Sequence, residues 1–382
     1  MQAEEPHNPH SRTASEDERW MALALEIAKN GIGRVSPNPL VGCIIVKDGM
    51  EIGRGAHERY GQSHAEANAL TDVAAKGHSA KDATAYVTLE PCTHHGKTGP
   101  CAERLIAAGI ARCVIALLDP NPVASGGAEK LRQAGIEVAI GVREKQARDL
   151  IRFFLKHVTT RRPYVTLKIA QSIDGRIALR NGQSQWITSE ASRREVHALR
   201  ATYDAVLTGS GTVMSDNPRL DVRHVEGRNP VRVVIDGELR IDASAAIYAQ
   251  TAARFVATRS FNAYANRAEE LTALGVEIID AGEDAHVDLA SVMLQLGKRN
   301  IQSVLVEAGP ELAKALLSAG VLDEIVVFQA PIVLGGDGLP AIAPLALLSL
   351  TDVPVFELVE LRPVAGSNDC YIRYQLNTVS QQ

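Results

Sequence analysis

No stretch of the chain approaches the ~20 consecutive apolar residues that a bilayer-spanning helix requires, so no membrane partner is expected. Cysteine is sparse and odd in number. Five in 382 residues give no disulfide framework and suit reduced thiols and metal ligation in a cytoplasmic protein. Cationic excess is missing as well. Lys and Arg number 40 against 45 Asp and Glu, for a net charge of -5 and a pI near 6.1, which speaks against a broad surface for nucleic acid. Residues 1–14 are polar and acidic and lack the apolar h-region of a secretory signal, so a disordered tail is expected there. No repeat and no low-complexity tract interrupts the rest. What is present is 46% hydrophobic residues, enough for two packed cores in a chain longer than a usual single domain.

Strand and helix signals alternate along the chain. Ser15 is placed to cap a helix through Trp20–Leu25 that ends near Gly31, and Val41–Val46, Lys47-Asp48-Gly49 and Glu51–Ala56 read as a hairpin. His64 opens a helix, residues 85–89 form a strand, Cys101 starts a second helix, and residues 113–118 form the next strand. Helix 128–134, strand 138–142 and one long helix from Glu144 to about His157 follow. Thr159-Thr160-Arg161-Arg162-Pro163 then breaks the rhythm, which predicts domains over 15–160 and 161–382. Beyond it, strands are expected at 164–170, 205–207, 231–235, 254–257, 276–279 and 303–306, and helices at 192–202, 289–296 and 311–318. Antiparallel strands at 324–328 and 370–376 end the chain. Such alternation predicts two α/β domains with mainly parallel sheets.

The chemistry concentrates in His64-Ala65-Glu66 and in Pro91-Cys92-Thr93-His94-His95-Gly96-Lys97-Thr98-Gly99-Pro100-Cys101. A lone His at a helix start is usually a cap, and a lone Cys is usually core packing. Together, one His, a Glu two residues on, and two Cys at a strand end and a helix start describe a zinc site with an acid/base beside it. Three protein ligands leave the fourth tetrahedral position open to water, which separates a catalytic zinc from a closed structural one. The pattern is that of the nucleobase deaminases, in which the Glu shuttles protons and is no ligand. Eight residues rather than two separate Cys92 from Cys101, and His94 and His95 compete as ligands. Cys43, Cys113 and Cys370 lie in apolar strand contexts and read as core.

Ser36-Pro37-Asn38-Pro39-x-Val41-Gly42, His64-Ala65-Glu66 and the long loop from Cys92 to Cys101 resemble the deaminase half of the bifunctional riboflavin-biosynthesis deaminase/reductases. The resemblance implies a cytidine-deaminase-like α/β/α domain. It implies one zinc per chain on His64, Cys92 and Cys101, Glu66 as the catalytic proton shuttle, and Asn38 against the pyrimidine of a ribosylamine phosphate.

The second half has no G-x-G-x-x-G after a strand, so a Rossmann site is not supported. Gly209-Ser210-Gly211-Thr212 and Glu307-Ala308-Gly309-Pro310 do lie at strand-to-helix junctions, where glycine lets backbone N–H groups approach phosphate; taken alone, each is better read as a tight turn. Lys168-x-Ala170-x-Ser172-x-Asp174-Gly175-Arg176, Ser184-x-Trp186, Gly211-Thr212-x3-Asp216-Asn217-Pro218-x-Leu220 and Glu307-x-Gly309-Pro310 are similar to the reductase half of the same family. That half resembles dihydrofolate reductase in fold and uses NADPH. By motif, Ala170, Trp186, Thr212, Asp216, Gly309, Pro310, Glu311 and Leu312 would line the cofactor, and Lys168, Ser184, Arg200, Leu220, Arg223 and Glu307 would face the ribosyl phosphate. The expected partner is a small phosphorylated pyrimidine, and the expected assembly a homo-oligomer, dimer or tetramer. Two rivals are weighed against this. One is a tRNA or other nucleic-acid deaminase with an accessory binding domain, disfavoured by the acidic pI; the other is a scaffold with a closed structural zinc, disfavoured by the open fourth position and Glu66.

Overall fold

A computed structural model describes residues 14–94, 99–249, 252–259, 261–282 and 285–377. The expected tail, residues 1–14, and His95 therefore lie outside the described residues, except that Ala14 is the first residue of a helix. The chain divides into two compact units, Met1–Thr160 and Arg161–Gln382.

The first unit runs α1 (Ala14–Ala28), β1 (Gly42–Lys47), β2 (Met50–Ala56), α2 (Ala65–Ala75), β3 (Thr84–Val87), α3 (Cys101–Ala107), β4 (Arg112–Ile115), α4 (Gly127–Gln133), β5 (Glu137–Ile140), α5 (Glu144–Leu150) and α6 (Arg152–Thr160). Its five strands are ordered β2-β1-β3-β4-β5. Asp48 and Gly49 both take positive φ, the two-residue hairpin turn that Asp-Gly favours, and this makes β1 antiparallel to β2. With β1 also antiparallel to β3 and only β3-β4-β5 parallel, the sheet is mixed rather than mainly parallel. Alternate residues feed opposite faces. Cys43, Ile45, Ala85, Val87, Cys113 and Ile115 pack with Ala65, Ala69, Val73, Leu105 and Leu131. Ile44, Val46, Tyr86 and Val114 pack with Trp20, Met21, Ala24, Ile151 and Phe154. The result is an α/β/α sandwich.

Two glycines set how closely its layers meet. A Cβ on Gly55 would lie 2.4 Å from the Ala69 nitrogen and 2.5 Å from the Ala65 oxygen, so α2 rests directly on the backbone of β2. A Cβ on Gly127 would lie 1.8 Å from the Pro91 oxygen, which brings the start of α4 against the loop carrying Cys92. The long helix expected over Glu144–His157 is instead two, broken at Ile151 (φ -107, ψ 23). No Pro or Gly sits there. Bonds from Ile151 N to Ala147 O and from Leu155 N to Ile151 O persist, and the bend lets Ala147, Ile151 and Phe154 all reach one core.

The second unit comprises β6 (Tyr164–Gln171), β7 (Arg176–Ala178), α7 (Glu190–Thr202), β8 (Ala205–Gly209), α8 (Ser210–Asp216), β9 (Val231–Ile235), β10 (Arg254–Thr258), α9 (Ala265–Ala273), β11 (Val276–Asp280), α10 (Leu289–Lys298), β12 (Ser303–Glu307), α11 (Pro310–Ser318), β13 (Glu324–Gln329), β14 (Leu339–Pro340), β15 (Phe356–Pro363) and β16 (Cys370–Leu376). Nine strands are ordered β11-β10-β9-β8-β12-β6-β13-β16-β15, and β7 pairs separately with β14. Everything from β11 to β13 is parallel; β16 and β15 add an antiparallel edge. The central strands are apolar on both faces, as strands covered by helices on either side must be. Because β8 and β12 are parallel neighbours, the strand-to-helix junctions after them end up side by side.

Candidate active sites

His64 is the residue before the first turn of α2, and Glu66 lies within that turn. Cys92 follows the end of β3, and Cys101 is the first residue of α3. The His64 Nδ1 is 3.5 Å from the Cys92 Sγ and 3.3 Å from the Cys101 Sγ, and all three donor atoms lie within 4.8 Å of one another. An ideal tetrahedral zinc, with bonds of about 2.0 Å to nitrogen and 2.3 Å to sulfur, places such donors about 3.5 Å apart. The donor set therefore fits zinc in both chemistry and spacing. Among the described residues these three form the group able to hold a metal; the His94 ring stands 6.5 Å from that of His64 and is not part of it.

Hydrogen bonding from the Cys101 thiol, and then from His64, holds the Cys92 thiol down to about 4 against the opposing effect of burial. Cys101 moves in the opposite direction because it keeps the shared proton. Cys92 is thus the thiol ready to ionise, the form that binds metal. Glu66 is 3% exposed, and burial pushes its carboxyl up to about 7. It can hold or release a proton at neutral pH beside the donor set. Asn38 lies close by through His57: its Nδ2 is 3.0 Å from the His57 Nε2, the His57 Nδ1 donates to the Ser63 carbonyl at 3.0 Å, and the His57 ring meets that of His64 edge-on at 5.4 Å.

His57 was not singled out from the sequence, and neither was Asp119. Asp119 is buried and accepts the Asn121 N–H at 2.8 Å, and burial pushes it up to about 6, with the Glu90 and Cys92 charges adding to the rise. Its signal was Asp119-Pro120-Asn121-Pro122, a turn directly after an apolar strand.

In the second unit, Glu307 at the end of β12 gathers cations. Arg200 of α7 binds it through Nε at 2.5 Å and Nη2 at 3.0 Å, and the Lys168 Nζ of β6 is 3.8 Å away. Burial would raise the Glu307 carboxyl, but the Arg200 and Lys168 charges outweigh it and hold it at about 2. Arg200 Nη1 also donates to the Asp221 carbonyl at 3.0 Å, and Asp221 pairs with Arg223. Leu220, buried with positive φ, begins this segment. One continuous cluster thus contains Lys168, Arg200, Arg223 and Glu307.

The expected cofactor residues fall partly together. A Cβ on Gly309 would lie 4.0 Å from the Thr212 Oγ1, and one on Gly209 would lie 3.3 Å from Leu312, so the turn Gly309-Pro310-Glu311-Leu312 backs onto the start of α8. Asp216 ends α8, and Ala170 lies in β6 opposite Phe328. Ser184 and Trp186 sit in the loop between β7 and α7; Trp186 is exposed and lies against Arg193 at 4.3 Å. Among the described residues, no hydrogen bond or ion pair links Ser184 or Trp186 to the Glu307 cluster.

Residues 14–117 match the family model described as the cytidine and deoxycytidylate deaminase zinc-binding region, and residues 163–365 match the RibD C-terminal domain. The riboflavin biosynthesis protein RibD of Escherichia coli K12 is 44% identical over 93% of this chain and 98% of its own length. The chain belongs to the RibD family. The RibD relative from Aquifex aeolicus is 44% identical over 84% of this chain and 88% of its own length. The Acinetobacter baumannii RibD structure superposes with a TM-score of 0.84 at 37% identity, covering 96% of this chain and all of that one. A Thermotoga maritima structure, described as a diaminohydroxyphosphoribosylaminopyrimidine deaminase and 5-amino-6-(5-phosphoribosylamino)uracil reductase, gives 0.83 at 38% identity over 95% of this chain and 99% of that one. RibD membership makes the chain a bifunctional enzyme of riboflavin biosynthesis, a zinc-dependent deaminase joined to a reductase that uses a nicotinamide cofactor. It also occupies the second half with a reductase, which removes the accessory nucleic-acid-binding domain of the rival reading.

Proposed function

We propose that residues 15–160 hydrolytically deaminate 2,5-diamino-6-(5-phosphoribosylamino)pyrimidin-4-one, and that residues 161–382 reduce the ribosyl group of the product to ribityl with NADPH. The observation that carries this is the closed triangle of His64, Cys92 and Cys101 with buried Glu66 beside it, in one chain with the Lys168–Glu307–Arg200 cluster. The substrate is that named for the Thermotoga relative.

His64, Cys92 and Cys101 hold one zinc, which when bound supplies the Lewis acidity that makes water nucleophilic at neutral pH. Glu66 takes the proton from that water, passes it to the ring nitrogen, and carries the next to the departing ammonia. Asn38, itself held by His57, orients the pyrimidine. In the second unit, Ala170, Trp186, Thr212, Asp216 and the turn Gly309–Leu312 line NADPH, and Lys168, Ser184, Arg200, Leu220, Arg223 and Glu307 seat the ribosyl phosphate so that C1′ meets the nicotinamide. NADPH, when bound, would supply the hydride for C1′, and a proton from solvent would complete the open-chain product.

We also infer a cytoplasmic homo-oligomer, a dimer or tetramer, without nucleic-acid or membrane partners. No described helix is long and apolar enough to cross a membrane. Leu348 and Leu350, shortly before the edge strand β15 in sequence, are 99% and 91% exposed, and Leu358 and Leu361 of β15 are exposed as well. A concentration of exposed apolar side chains of this kind marks a protein interface; sedimentation giving a monomer at micromolar concentration would reject it. The enzymatic reading is tested by incubating the purified protein with the diaminopyrimidinone. Ammonia release without NADPH, followed by NADPH oxidation once it is added, is expected; no ammonia from zinc-loaded protein overturns the reading.

A further inference from the structure

Three residues before Arg200, on the same face of α7, lies a histidine that the reaction as described leaves idle. His197 is 4% exposed. Its Nδ1 accepts the backbone N–H of Arg223 at 3.2 Å, while Arg200 donates to the Asp221 carbonyl two residues earlier. The segment Asp221–Arg223 is therefore clamped to α7 at two backbone points. The Asp221 carboxylate, itself buried, takes Arg223 Nη1 and the Arg219 Nε, and the Arg223 side chain is 44% exposed.

Accepting at Nδ1 requires the tautomer with its hydrogen on Nε2, since a proton on Nδ1 would set N–H against N–H. The surroundings also keep the ring neutral. Burial, then the Arg200, Arg223 and His224 charges, hold His197 down to about 4, with Glu307 opposing. The His224 ring meets the His197 ring edge-on at 4.6 Å.

We propose that His197 is a positioning residue of the reductase site, its Nδ1 pinning the Arg223 backbone and so aiming that guanidinium at the substrate phosphate. The inference rests on the reading that Arg223 faces the phosphate.

The test uses the full-length enzyme with the phosphorylated aminouracil substrate and its dephosphorylated counterpart. His197→Met removes the acceptor at similar volume. It is expected to raise KM for the phosphorylated substrate several-fold to about tenfold, the weight of one hydrogen bond, with kcat, KM for NADPH and KM for the dephosphorylated compound within twofold. His197→Gln, whose Oε1 can take the same N–H, is expected to recover most of the loss. An unchanged KM in His197→Met, or an equal rise with both substrates, overturns the proposal. Arg223→Ala that leaves the phosphorylated KM unchanged overturns the underlying phosphate reading, and this proposal with it. Should His197→Met not fold, nitrogen-15 histidine spectra of the wild type decide the matter, the resonance being assigned by its loss in His197→Gln. The Nε2–H tautomer at pH 7 is expected, and an Nδ1–H tautomer or imidazolium overturns the proposal.

Discussion

Cys92 and Cys101 can share a metal with His64 because a strand end and a helix start deliver them to one point, and the consequences are open to metal analysis. Cys92→Ser is expected to lose most of its zinc, and His94→Ala to keep it; the reverse pattern would move the ligand set. Glu66→Gln is expected to retain zinc while deamination falls about 10²–10⁴-fold and the reductase is unaffected, as an ammonia assay beside an NADPH assay will read. Glu307 gives a pH dependence. Its folded value, about 2, lies below the ordinary 4.5, so its contribution is fully present above about 4.5 and is lost as pH falls toward 2, on the order of 3 kcal/mol in all. Glu307→Gln leaves Arg200 and Lys168 without their counter-charge and is expected to cost about 3–5 kcal/mol at neutral pH, with its melting curve converging on the wild type under acid. At this scale the candidate zinc donors could be picked out because two short, dense motifs hold all three, and the structure brings them within 4.8 Å of one another. His57 and Asp119 were not, because each is a single residue whose partners are distant in sequence or are backbone atoms: His57 meets Asn38, 19 residues away, and the Ser63 carbonyl.

Elements were legible where local chemistry decides them and opaque where packing does. Asp48-Gly49 announces the first hairpin by its turn chemistry alone. The break between α5 and α6 has no such sign, since the core pulls in Ile151 and Phe154 while helix propensity runs on through them. The β7–β14 pair was equally hidden: two or three residues on each side, Leu339 opposite Ala178, are too few to show a period. The seat of α2 on β2 gives a prediction of its own. Gly55→Ala forces the helix backbone outward, and it is expected to cost about 1–3 kcal/mol and to lower deaminase kcat more than its KM, because the same shift displaces His64 and Glu66. A melt within 1 °C of wild type would show that α2 does not rest where Gly55 places it.

Each sheet takes its strands from one of the two units, so each half of the chain should stand alone. A fragment ending at Thr160 is expected to melt cooperatively, bind zinc and deaminate; one beginning at Arg161 is expected to bind NADPH and reduce. Fragments that fold yet act only when mixed would mean the sites share residues. The topology of the larger sheet also sets an order of events on the ribosome. The first unit has its last strand once residue 140 has emerged, whereas β6, the seam of the second, is flanked by β12 and β13, which begin at Ser303 and Glu324. At about 5–20 residues per second, the apolar segment Tyr164–Ala170 waits several seconds or more for its neighbours to be synthesised. The reductase half is therefore expected to stay protease-sensitive longer than the deaminase half during synthesis, as limited proteolysis of ribosome-bound nascent chains would show.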